Sequence, residues 1–136
     1  MPEQYRVKLL LADDSKVDGV FALSEEFDPA NVSLIFEGRV IESKSVRDYF
    51  DGFCEIRKML ERDGIYPLCF GSRVDVYPSG MSRSMGGGVK GYRLSLGSQV
   101  GVSDLVNIFD SSEEVVPSKV SAQEEYFKKW IQSLGK

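Results

Sequence analysis

Apolar and polar residues alternate in some stretches of the chain and recur every three or four residues in others, and that contrast predicts the elements. Tyr5, Val7, Leu9 and Leu11 share one face of a segment whose other face carries Arg6 and Lys8, so residues 5–12 are expected to form a strand. Leu10 interrupts the alternation and predicts burial of the strand's far end on both sides. Between Asp13 and Asp28 the pattern weakens. Val17, Val20, Phe21 and Leu23 fit a short helix or an irregular connection, and Asp28-Pro29 marks a turn. Residues 32–41 predict a second strand with a bulge or turn at Gly38.

The strongest periodicity follows. Val46, Tyr49, Phe50, Phe53, Ile56, Met59 and Leu60 recur at helical spacing. They predict an amphipathic helix of about five turns, with Ser43 or Ser45 as N-cap and Gly64 just past its end. Gly52 weakens this helix and predicts the close approach of another element. Residues 65–70 are a short apolar run, a strand whose Pro67 places it at an edge or at a strand start. Tyr92, Leu94 and Leu96 alternate as a further strand, Ser103 can cap a short helix through Phe109, and residues 111–119 make a polar connector. Ser121 with Glu124 predicts a capping box for a last helix, whose stripe is Tyr126, Phe127, Trp130, Ile131 and Leu134. Together these elements predict one domain over residues 1–136, of α/β or α+β class. Its sheet is mixed or antiparallel, of about four to six strands, with two main helices packed on it.

Composition narrows the function classes. The chain has 136 residues, 42% of them apolar and 28% charged, which is ordinary globular composition and enough chain to bury a core. A net charge of -4 and a pI of about 4.9 argue against non-specific binding to nucleic acid or anionic membrane, and suit a basic protein partner. No apolar run reaches the ~18–20 residues of a membrane span. Met1 to Arg6 lack the basic region of a secretory signal. Cys54 and Cys69 fall in apolar patterns, are expected as buried thiols, and place the protein in the reducing cytoplasm. Histidine is absent, which removes the usual proton shuttle and the commonest transition-metal ligand and excludes Ser-His-Asp and Cys-His catalysis. No metal or cofactor is expected.

Two stretches carry candidate chemistry. Leu9-Leu10-Leu11-Ala12-Asp13-Asp14-Ser15 resembles the opening of a response-regulator receiver domain, where two carboxylates help hold magnesium. The family also needs an aspartate at the end of the third strand and a lysine after a later one. No strand ending in Asp appears at suitable spacing after residues 32–36 and the first helix pattern is poor, which leaves an acidic loop after a buried strand. Residues 71–91 are rich in glycine and locally basic, with Arg73, Arg83, Lys90 and, just beside the segment, Arg93 against the single local acid Asp75. Their backbone N–H groups and cations could form an anion or nucleotide site, with Arg73, Asp75, Tyr77, Arg83 and Lys90 as its candidates. The spacing fits neither a Walker A loop nor a dinucleotide fingerprint. A Ser-Lys pair drawn from Ser79, Ser82 or Ser84 with Lys90 is a further conceivable arrangement. The alternative is a shaped loop between two strands, whose Tyr77, Met81 and Met85 fold back on the domain or meet a partner.

Tyr66-Pro67-Leu68-Cys69-Phe70-Gly71-Ser72-Arg73, Asp75-Val76-Tyr77-Pro78-Ser79-Gly80-Met81, Arg83-Ser84-Met85-Gly86-Gly87-Gly88 and the closing Trp130-Ile131-Gln132-Ser133-Leu134 form a pattern similar to that of small bacterial proteins. The pattern resembles immunity proteins of contact-dependent growth inhibition and other polymorphic toxin systems. That resemblance implies a non-catalytic antidote that binds and neutralises a cognate toxin such as a nuclease. It carries over no catalytic residue. Acidic side chains would then meet toxin Lys and Arg, the candidates being Asp13, Asp14, Glu25, Glu26, Asp28, Glu113 and Glu114. A small enzyme or anion-binding domain built on residues 71–91 is the alternative.

Overall fold

The computed structural model describes residues 3–25, 30–44 and 47–135. The expected turn at Asp28-Pro29, the cap Ser45, the first helical Val46 and the candidates Glu26 and Asp28 lie outside them.

The fold is α+β. Strands β1 (Glu3–Leu10), β2 (Lys16–Leu23), β3 (Val32–Phe36) and β4 (Arg39–Glu42) form an antiparallel meander. The two-residue β5 (Tyr66–Pro67) adds to the free side of β1, giving the order β4-β3-β2-β1-β5. Pro67 thus stands on an edge strand, where its missing N–H costs no ladder bond. A second antiparallel sheet, β6-β7-β8, comprises Val76–Tyr77, Lys90–Arg93 and Leu105–Asn107. Helix α1 (Tyr49–Glu61) packs on the inner face of the larger sheet, α2 (Gly80–Gly86) is short, and α3 (Val120–Leu134) closes the structure.

The inward alternation of β1 puts Val7 and Leu9 in the core, and β2 and β3 add Phe21, Leu23, Val32, Leu34 and Phe36. Phe50, Phe53, Ile56 and Leu60 of α1 fill the other side, where Phe21, Phe53 and Phe109 meet at ring centroids 5.1 to 5.4 Å apart. Gly52 has the expected role: a Cβ there would meet the Ser43 hydroxyl at 2.9 Å and Val32 at 3.1 Å. Gly64 lies just past α1 at φ +70, as expected.

Several expected elements differ. Residues 16–23 form a full strand rather than a helix or irregular connection, because Gly19, Phe21 and Leu23 line one buried face and Gly19 fits beneath Leu9 and Leu34. The turn expected at Gly38 is present, with φ +72, but it divides residues 32–41 into two paired strands rather than one. The N-cap of α1 is Asp48, whose carboxylate accepts from the Asp51 N–H at 2.7 Å, and the helix is shorter than five turns. Ser43 instead caps nothing helical: buried, it accepts from the Val32 N–H at 3.1 Å. Of residues 65–70 only Tyr66–Pro67 enters a ladder, and Phe70–Ser72 is a turn of 3-10 helix. Within 104–109 the expected helix is replaced by β8, preceded by a 3-10 turn at Val102–Asp104. The capping box of Ser121 is also absent. Helix α3 begins at Val120, and the first N–H is satisfied from α1, by the Glu61 carboxylate at 2.7 Å. No helix among the described residues is long and apolar enough to cross a membrane.

Candidate functional site

The fold first gathers acid groups. At the β1–β2 turn Asp14 takes a left-handed conformation, φ +68, and Leu11 and Ser15 close the turn through a 2.8 Å backbone bond. The Asp13 carboxylate accepts from the hydroxyl and the N–H of Ser15, which holds its pKa below the usual carboxylate range. Just after the turn, Lys16 donates to Glu113 at 3.0 Å. That contact brings the segment of Glu113 and Glu114 to the face that carries the Asp13–Asp14 turn, although the two pairs lie about 100 residues apart in sequence. The only other nearby ion pair among the described residues is Lys8–Asp18 at 2.6 Å. Glu25 lies past the opposite end of β2, more than roughly 20 Å away at 3.3 Å per residue.

Beside this face runs a groove of about 560 Å³, open to solvent, between residues 70–75 and 112–118. Its two walls are joined at the isolated bridges Cys69–Ser111 and Arg73–Pro117, so 112–116 arches between fixed points. Arg73 and Asp75 form a bidentate pair across 2.8 Å contacts in the groove, with Glu114 opposite. Val74 and Val116 stand on the rim, 37% and 81% exposed.

The walls are held from beneath by a buried polar network. Arg57, on the inner side of α1, donates to the Gln123 side-chain carbonyl at 2.7 Å and to the Ser118 backbone carbonyl at 3.0 Å. Gln123, on the inner side of α3, places its amide nitrogen within 2.9 Å of the carbonyls of Gly71, Arg73 and Val76. Ser118 donates from both N–H and hydroxyl to the Ser72 carbonyl. Arg57 makes no ion pair among the described residues. Its charge is met by dipoles and by the face of Phe53 at 5.4 Å. Such a network is expensive to leave half-made, so it fixes the groove in one shape.

The glycine-rich residues 71–91 are not one loop. They contain the 3-10 turn, β6, α2 and the start of β7. Ser79 caps α2 and Gly87 ends it at φ +69. The Gly87 carbonyl accepts from the N–H groups of Tyr49 and Phe50, which plugs the N-terminus of α1. Gly88 follows at φ +78, with Phe50 so close that an added Cβ would lie 2.7 Å from the Phe50 Cβ. Arg83 grips Asp48 through contacts of 2.6 and 3.1 Å, with both side chains largely buried. Burial disfavours the Arg83 charge, but the hydrogen bonds and charge of Asp48 outweigh it and hold its pKa above the ordinary value. Gly87 and Gly88 thus serve capping and packing.

Of the anion-site candidates, Arg73 and Arg83 are thus each engaged by an aspartate. Tyr77 stacks on Phe127 at 3.9 Å and meets Phe50 edge-on at 5.0 Å, and burial raises its pKa. Lys90 is exposed on β7, lines neither this groove nor the smaller recess of about 160 Å³ between Phe50, Cys54, Tyr77 and Arg83, and meets Ser82 through its carbonyl only. Ser79 and Ser84 likewise bond backbone groups. Met81 and Met85 do not fold back; they project from α2, 71% and 79% exposed. Cys54 and Cys69 are free thiols that burial pushes up to about 11.

The groove brings together Arg73, Asp75 and Glu114, assigned from sequence to opposite kinds of site. Val74, Val116, Arg57 and Gln123 carry no such expectation, yet two of them left a signal. Arg57 and Gln123 occupy stripe positions of their helices, between Phe53 and Leu60 and between Val120 and Phe127, where an apolar residue belongs. No family model matches the chain, and no curated protein does.

Proposed function

We propose that the chain is a non-catalytic antidote, an immunity protein that binds and neutralises a basic bacterial toxin such as a nuclease in the cytoplasm. The observation that supports this reading is the Lys16–Glu113 contact, which brings the acidic pair Glu113-Glu114 beside the turn that carries Asp13 and Asp14. A concentrated negative field on one face steers a cationic partner and rejects wrong ones. The exposed Met81 and Met85 and the groove rim add apolar surface of the kind that interfaces use.

The test is co-expression with the toxin encoded beside this gene. Protection of the host and co-purification are expected, and failure of both would sink the reading. In the purified pair, the double substitution Asp14→Lys and Glu114→Lys should slow association by about tenfold at low salt and by much less at about 0.5 M salt.

A further inference from the structure

We infer that the groove between residues 70–75 and 112–118 is the docking site for an extended, cationic segment of the partner protein. A Lys or Arg of that segment sits on Glu114, and its apolar neighbours lie against Val74 and Val116. The inference rests on the partner-binding reading above, but not on the partner's being a toxin.

Charge selects the occupant. Three ionic side chains line the groove: Arg73, Asp75 and Glu114. Arg73 is consumed by Asp75 in a bidentate pair, so the two cancel. The Glu114 carboxylate has no partner among the described residues; only its N–H is used, donated to the Ser112 hydroxyl at 3.4 Å. The uncancelled charge of the groove is therefore negative and accessible. Lys16 cannot supply the counter-ion, because it is held by Glu113.

Shape selects the form of the occupant. A drug-sized ligand is normally enclosed over most of its surface, whereas this groove is open and carries apolar side chains on its rim. One wall is a 3-10 turn that leads into the Arg73 bridge, the other is the 112–116 arch, and the Val116 N–H has no acceptor among the described residues. An extended segment presents alternate side chains to a groove and a backbone carbonyl to such a donor. The wall at 71–73 and Ser118 at the end of the other are also fixed in advance by Arg57 and Gln123, so docking does not have to order them.

The probe is an N-acetylated, C-amidated octapeptide alternating valine and lysine, titrated into nitrogen-15-labelled protein. Amide shifts confined to 70–75 and 112–118, with a dissociation constant of about 1 mM, are expected for one short isolated segment. Glu114→Gln should weaken binding about threefold to fivefold, the size of one exposed ion pair, while Glu42→Gln, exposed on the far edge strand β4, leaves it unchanged. Shifts scattered over the surface, equal shifts with valine–glutamate peptide, equal shifts with lysine amide alone, or unchanged binding by Glu114→Gln would each overturn the inference. The two readings fail separately. A toxin neutralised with undiminished affinity by the Val116→Asp, Glu114→Gln protein removes the groove and spares the antidote. Peptide docking without protection by the unaltered protein does the reverse.

Discussion

Two arginines of the same glycine-rich stretch each pair with an aspartate, and the fold uses the two pairs in opposite ways. Arg83–Asp48 is long-range and covered, with side chains 15% and 3% exposed. It ties α2 to the cap of α1. Arg73–Asp75 is local, spans two residues, and sits in an open groove with side chains 33% and 26% exposed. Both are bidentate, so geometry at the contact does not separate them. What separates them is what each charge would face if its partner left: low-dielectric interior for one, water for the other.

Substitutions turn that contrast into numbers. Asp48→Ala should cost about 3–5 kcal/mol in urea denaturation, because it strands a buried guanidinium and removes the N-cap together. Arg83→Met should cost less than Asp48→Ala, since the cap survives; equal losses would show that Asp48 acts only through the ion pair. The glycines beside the covered pair come next. Gly88→Ala meets Phe50 and a left-handed φ, and should cost about 2–4 kcal/mol. Gly86→Ala, with open space around it, should be neutral or gain up to about 1 kcal/mol. If the two glycine variants behaved alike, the close approach of Gly88 to Phe50 would not be what fixes α2. The smallest effect belongs to the open pair, where Arg73→Ala should change stability by less than about 1 kcal/mol. A loss as large as that of Asp48→Ala would mean that the groove pair is structural after all.

Sequence reasoning sees the covered parts of this molecule unevenly. Helix α1 is legible because its buried face is built from large apolar residues at unbroken spacing. Strand β2 is not, because Gly19 holds an inward position and contributes nothing to a hydropathy pattern. The start of α3 is misread for a tertiary reason: Glu61 of another helix satisfies the first N–H, so the Ser121 signal goes unused. Residues 71–91 look like an anion loop because glycine and arginine are what such loops contain. The partner of Arg83 lies 35 residues away, and nothing in local sequence announces it. The groove is the least legible part. Its rim valines stand in polar stretches, and its walls come together only through bridges between residues more than 40 positions apart.

The buried guanidinium of Arg57 has a consequence for the order of events during synthesis. The chain up to α1 contains four of the five strands of the larger sheet and most of the core that α1 covers. The acceptors of Arg57 are the Ser118 carbonyl and Gln123, so they do not exist until some 60 further residues have been made. Burying that guanidinium before its acceptors exist would carry the cost of an unpaired buried charge, so closure of this face of α1 is expected to wait for residues 118–123. The walls of the groove are set by the same event that lets Arg57 go dry. The molecule therefore becomes competent to hold a partner in the step that completes its core, and a nascent chain without α3 presents neither.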